Sequence, residues 1–272
     1  MYNSVYQTDK WKISMKSFCI TLTSILGYFT LSQVQAQTVF NNGFEQPVIQ
    51  LTPLNDTGIT FAGEYPSGNN VDCTSTTITS PQDCHQGRDF THNDDTDGHA
   101  GFSFTKLDAN GTPLADQSVD YATTPWACVQ DNVTGLVWEV KTTATGIHNK
   151  DNTYQWGGDT AIGKGHPNAQ GTYYDPSWNE LVQGSNTDNL CGYNNWRVPT
   201  VDELSGLANQ GTFNPAIDSN YFPNTASSGF WSSSPVASDP NSAWFVFFYD
   251  GNGNFSNRVS IFRVRLVRSL GQ

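Results

Sequence analysis

The chain has 272 residues, 24 of them glycine and 13 proline, with few long apolar runs at helical spacing. That composition excludes a helical bundle and favours short strands joined by loops, while eight Trp and 16 Phe still supply bulk for a core. A formal charge of −12 argues against nucleic acid and against anionic membrane surfaces as partners.

Residues 1–36 read as an upstream extension and an export signal. Lys10, Lys12 and Lys16 precede an apolar run from Phe18 to Leu31, and Val34-Gln35-Ala36 is a small-residue cleavage site. Met15-Lys16 makes a better signal start than Met1, and the mature chain is expected to begin near Gln37. The run is too short and too interrupted by Thr and Ser for a membrane span, so no stable membrane insertion is expected once it is removed. Three lysines and Asp9 leave with it, which takes the net charge to −14.

Residues 37–122 read as a β-rich N-terminal extension. Strand-like pieces are Thr38 to Phe40, Gly58 to Phe61 and Gly101 to Thr105, and Asn110-Gly111 is a hairpin-turn signal. Asn93, Asp95, Asp97 and Gly98 reproduce the first half of a calcium loop, in which alternate oxygens converge on one hard cation. Phe104 stands where the closing Glu belongs, so a solvated acidic turn explains the same residues. Calcium is thus the one candidate ion, and no cofactor is otherwise expected. His85, His92 and His99 recur every seven residues, but nothing fixes them into a zinc geometry.

Residues 123–272 form the main domain, with the boundary at Ala122 to Pro125. Strands are expected at Gly135 to Val140, Phe230 to Ser232, Ala243 to Tyr249 and Ser260 to Val267, and a short helix at Ser177 to Val182 after Asp175-Pro176. In the last strand Phe262, Val264 and Leu266 alternate with Arg263 and Arg265. Its centre is Cys191 to Leu207. Pro199 bars helix at Val198, Thr200 and Glu203 form a T-x-x-E capping box, and Val201, Leu204 and Leu207 share one helix face. Trp196 is a core residue, and Arg197 points the other way.

Four cysteines follow the signal: Cys73, Cys84, Cys128 and Cys191. An even count in an exported chain reads as disulfides; zinc is the rival, but there is no C-x-x-C. Three pairings are possible, and proximity favours Cys73–Cys84, leaving Cys128–Cys191.

Trp196-Arg197-Val198-Pro199-Thr200, followed by Glu203-Leu204, resembles the W-R-[LV]-P-T-x-x-E-L signature of the Lcl C-terminal domain family. Asp131 to Trp138 upstream, Phe230-Trp231-Ser232-Ser233-Ser234 downstream and the closing Val264 to Arg268 agree in order, covering roughly residues 126–269. The resemblance implies an α/β (α+β), C-type-lectin-like fold of short antiparallel strands and two helices, in secreted, periplasmic or cell-surface proteins. The family often has a further Cys in its last strand, where this chain has Leu266.

The expected role is an exported, non-catalytic binding or adhesion module recognising a glycan or another surface component. Its site is expected on a face made by Gly211 to Ser228, Pro235 to Ser242 and Asp250 to Asn254. The alternatives are an enzyme of the formylglycine-generating type, whose fold is similar, and a structural envelope protein. The enzyme's C-terminal cysteine pair has no counterpart after Cys191, and Ser232-Ser233-Ser234 lacks the G-x-S-x-G elbow. Arg263, Arg265 and Arg268 form a basic stripe that either grips an anion or pairs with carboxylates such as Asp202, Glu203 or Asp250.

Overall fold

The turn Asp131 to Gly135 is where the main sheet is laid down. Asp131 Oδ1 accepts from the amides of Val133 and Thr134 at 3.0 and 3.1 Å, and Gly135 takes a φ of +73° that a side chain would resist. The chain therefore reverses and pairs β4 (Cys128–Asp131) with β5 (Leu136–Glu139) in antiparallel register. The computed structural model describes residues 54–64, 68–75, 78, 80–157 and 176–269. The export signal, the expected strand at Thr38 to Phe40 and the Asp175 helix start lie outside them.

The architecture is α+β with antiparallel sheets and few helices. In chain order it runs β1 (Phe61–Glu64), β2 (Gly68–Asp72), α1 (Gly87–Thr91), β3 (Phe104–Leu107), then β4 and β5. There follow α2 (Pro176–Thr187), α3 (Val201–Ser205), β6 (Gly229–Val236), β7 (Asp239–Phe247), β8 (Asn252–Asn257) and β9 (Val267–Ser269). The strands form a β1-β2 ribbon, a β3-β4-β5-β9 sheet and a β6-β7-β8 sheet.

β3 belongs to the extension by sequence, yet it supplies an edge of the main sheet, with Phe104 opposite Asp131 and Leu107 opposite Cys128. Phe102 and Phe104 are buried in one core cluster with Trp138, Leu204, Phe230 and Phe248. A second cluster packs Trp156, Trp178, Trp196, Trp231, Val264 and Leu266. Among the described residues six tryptophans are 3% exposed or less, so aromatic bulk replaces the long apolar helices that the composition lacks.

Two disulfides staple the fold, Cys73–Cys84 and Cys128–Cys191, in the pairing that proximity suggests. The second joins residues 63 apart and stabilises by about 4 kcal/mol in the chain-entropy account. Against it packs the Asn110-Gly111 turn. A Cβ on Gly111 would come within 2.3 Å of the Cys191 carbonyl, and one on Gly192 within 2.7 Å of the Asn110 carbonyl. Only glycine fits either position.

The Trp196–Glu203 signature is built as its chemistry demands. Thr200 Oγ1 accepts from the Glu203 amide at 3.3 Å, and Glu203 Oε2 accepts from the Thr200 amide at 2.8 Å. Glu203 also holds Arg197 through two hydrogen bonds of 2.6 and 2.8 Å. Ser234 Oγ takes the Val201 amide at 3.0 Å, so three groups serve the start of a single-turn helix. Thr200→Ala is expected to cost about 1 kcal/mol in chemical denaturation through loss of this cap.

Three expectations on local structure are corrected. α2 runs to Thr187, beyond Val182, because Leu181 and Val182 are buried and Ser185 bonds back to the Leu181 carbonyl. Ser260 to Val267 is not one strand. Its alternation is real, with Val264 and Leu266 buried, but its backbone partners change from Tyr154 to Gly229 to Arg197. Nor is there an exposed arginine stripe: Arg265 is 0% exposed and Arg268 4%.

Arg265 instead enters a buried charge cluster. Its guanidinium donates to the Glu139 carbonyl and to Thr225 Oγ1, each at 2.6 Å, and lies over the Phe222 ring. Glu139 Oε1 accepts from Lys141 at 2.8 Å and is bonded to His148 at 2.7 Å, while Oε2 takes the Leu266 amide. Arg268 stacks on Tyr193, 3.7 Å from its ring, and bonds Asn195. Asp202 and Asp250 pair with none of these arginines and Glu203 pairs with Arg197 instead, while Arg263 does meet a carboxylate, Asp151, at 3.8 Å.

Candidate functional site

Between the extension and the loop Asn209 to Pro223 lies an open groove of about 900 Å³. Its construction begins at Lys106 on β3. The Gln117 side chain accepts from the Lys106 amide at 2.6 Å and donates back to its carbonyl at 3.1 Å, substituting for a neighbouring strand. The Lys106 ammonium then donates to the Gln117 and Val119 carbonyls, each at 2.9 Å, and sits 4.3 Å over the Trp126 ring. Burial lowers its pKa, an effect opposed by Asp218, Asp116 and Asp120.

The opposite wall is fixed by Asp218. Its carboxylate accepts from the His99 amide at 3.0 Å and the Asn220 amide at 2.9 Å, tying extension to main domain. Burial raises its pKa against those hydrogen bonds. Trp126 Nε1 donates to the Tyr221 carbonyl at 2.9 Å, so these two rings form the buried floor. Burial first, and the charges of Asp218 and Asp97 next, push the Tyr221 hydroxyl up to about 12, so it remains a neutral donor. Tyr121 is half-buried above the floor, and Phe213 stands 70% exposed at the rim.

The charged lining is therefore three carboxylates, Asp95, Asp120 and Asp218, and one lysine already engaged by carbonyls. Aromatic faces beside amides, hydroxyls and carboxylates suit a polyhydroxylated ligand and oppose a polyanion.

The other sequence candidates are dispersed. Asp95 is bonded to the His99 ring at 2.9 Å and takes the Ala100 amide, while Asp97 takes the Ser103 hydroxyl at 2.5 Å. Asn93 is exposed. His85 accepts from the Gln82 amide, and His92 is bonded to Thr91, so the three histidines serve three separate local contacts. Ser232, Ser233 and Ser234 bond Trp244 O, Pro199 O and the Val201 amide. Trp138 and Trp231 are core residues, and the Pro199 carbonyl receives Ser233.

The expected binding face does not assemble as a whole. Residues 211–223 line the groove, but Val236–Asp239 and Phe247–Asn252 are hairpin turns at opposite ends of the nine-residue β7. At 3.4 Å per residue they stand roughly 25 Å apart. The groove's second wall was not foreseen, because Lys106, Tyr121 and His99 meet Asp218 only through pairing of β3 with β4.

Sequence spacing also concealed a second acidic group. Asp56, Asp83 and Asp89 each place a carboxylate oxygen within 4.8 Å of the others, with Thr57 Oγ1 bonded to both Asp83 and Asp89. Asp89 is buried and also receives the Gly58 and Ile59 amides; burial raises its pKa, and Asp56 adds to the rise. Cys73, Cys84 and His85 also cluster, but the two sulfurs are bonded to each other and offer no thiolate.

Fold and site together define a disulfide-stapled α+β domain with a polar-aromatic groove. The family model for the Lcl C-terminal domain matches residues 127–268, over half the chain, and the chain belongs to that family. No curated protein matches it. Asp95, His99, Lys106, Tyr121 and Trp126 lie outside the matched segment, so one wall of the groove comes from outside the family domain.

Proposed function

We propose that this protein is an exported binding module, without catalysis, whose groove takes an uncharged glycan. The observation that carries the reading is the lining: Phe213 offers an exposed ring for stacking and half-buried Tyr121 lies with it in the lining, surrounded by carboxylates and amides that bond hydroxyls. Among the described lining residues the one lysine is held by loop carbonyls, so it offers no free cationic grip for sulfate. Two disulfides and an N-terminal signal pattern support export to an oxidising compartment. The family resemblance supports a C-type-lectin-like reading of the α+β arrangement, and attachment to a surface component is the role such a module would serve.

The test sets a panel of neutral glycans beside heparin across a salt series. Neutral-glycan binding should persist as salt rises, because it does not rest on charge. Phe213→Ala should weaken it about five- to tenfold, the worth of one aromatic contact, with thermal stability unchanged. Heparin binding that fades with salt and is lost on Arg263→Ala would defeat the reading. Cleavage of a bound glycan would replace it with a catalytic one.

A further inference from the structure

Beyond the groove's rim the aromatic surface continues. Phe213 meets Tyr249 edge to face, with ring centroids 6.4 Å apart and planes at 62°, and Tyr249 lies 6.0 Å from Phe247, at the end of β7, with planes at 31°. The three side chains are 70%, 44% and 38% exposed. Rings of this size are ordinarily turned inward or covered.

The row is held in place by backbone rather than by core packing. The Asn214 amide donates to the Tyr249 carbonyl and the Ala216 amide to the Phe248 carbonyl, both at 2.8 Å. The Asn209 amide in turn donates to the Ala216 carbonyl at 3.2 Å. The segment bearing Phe213 thus runs beside the end of β7, which brings its ring to Tyr249. Exposed Asp250, Asn214 and Asn252 adjoin it in sequence, offering hydrogen bonds but no positive charge. Flat apolar rings flanked by amides and a carboxylate match a chain of sugar rings whose equatorial hydroxyls leave bare C–H faces. They disfavour a polyanion.

We infer that the row Phe213–Tyr249–Phe247 is a stacking platform on which a linear, uncharged, β-linked glucan continues out of the groove. The inference rests on the groove reading and adds to it the ligand's form: a polymer bound along its length, with the groove holding one part and the platform the next.

The experiment measures affinity of the full chain for cello-oligosaccharides of two to six units by calorimetry, with sedimentation to report its oligomeric state. The hexasaccharide should bind at least tenfold more tightly than the disaccharide. In a Tyr249→Ala/Phe247→Ala variant that gain should shrink to within twofold, with the disaccharide's affinity and the thermal midpoint unchanged. A disaccharide that binds as tightly as the hexasaccharide overturns the platform and leaves the groove reading standing. Absence of binding by the whole series overturns the glucan assignment, while the groove is judged on the neutral-glycan panel. Reversible self-association that the double substitution abolishes overturns the inference by making the row an interface between copies of this chain.

Discussion

Replacing Glu139 with glutamine is expected to cost about 3–5 kcal/mol, because it leaves Lys141 and Arg265 buried without their counter-charge. Urea denaturation at neutral pH measures the loss directly. A Glu139→Gln/Lys141→Met double variant should recover part of it, since the two substitutions share one network. The same residue sets an acid limit. Burial alone would raise its pKa, but the Lys141 charge and the bond to His148 overcome that and hold it at about 2, against an ordinary 4.5. A folded value below the unfolded one means the stabilisation is complete above the unfolded pKa and vanishes as pH falls through the folded one. The depression is worth about 3 kcal/mol. Wild-type stability should therefore fall between about pH 5 and pH 2 by more than that of the glutamine variant. Parallel slopes for the two proteins would show that Glu139 does not titrate in this way.

Trp196→Ala should be comparably damaging, at about 3–5 kcal/mol. The side chain is 2% exposed among Trp156, Trp178 and Trp231; its indole donates to the Leu190 carbonyl at 2.9 Å, and its amide donates to Asn186 at 2.6 Å. Truncation would open a cavity beside the Cys128–Cys191 bridge and leave the Leu190 carbonyl with the Tyr193 amide alone. A thermal midpoint lowered on the order of 10 °C is the expected reading. A variant with an unchanged midpoint and lost glycan binding would make Trp196 a ligand contact instead.

What the sequence disclosed was local chemistry. The capping box at Thr200 and Glu203 and the cysteine pairing depend on residues a few positions apart or on a simple count, and both are present. What it concealed was choice of partner. Alternation through Phe262, Val264 and Leu266 reports which face each side chain takes, but not which neighbour receives the backbone, and here that neighbour changes along the segment. Arg265 looked like surface because arginine is rarely buried; its place opposite Glu139 depends on a residue 126 positions away. The groove was half legible. Residues 211–223 are polar, loop-forming and aromatic, whereas the facing wall depends on β3 joining a sheet across the apparent boundary.

The place of β3 separates what is inherited from what folds. The recognisable family segment, 127–268, begins one residue before the first strand it needs a neighbour for. Cut there, β4 would present a bare hydrogen-bonding edge, and the core would lose Phe102 and Phe104. A gene fusion that moved this segment behind an unrelated leader would have to bring a substitute strand with it. The portable piece of this architecture is therefore longer than its signature, and grafting experiments should carry the chain from at least residue 101 onward.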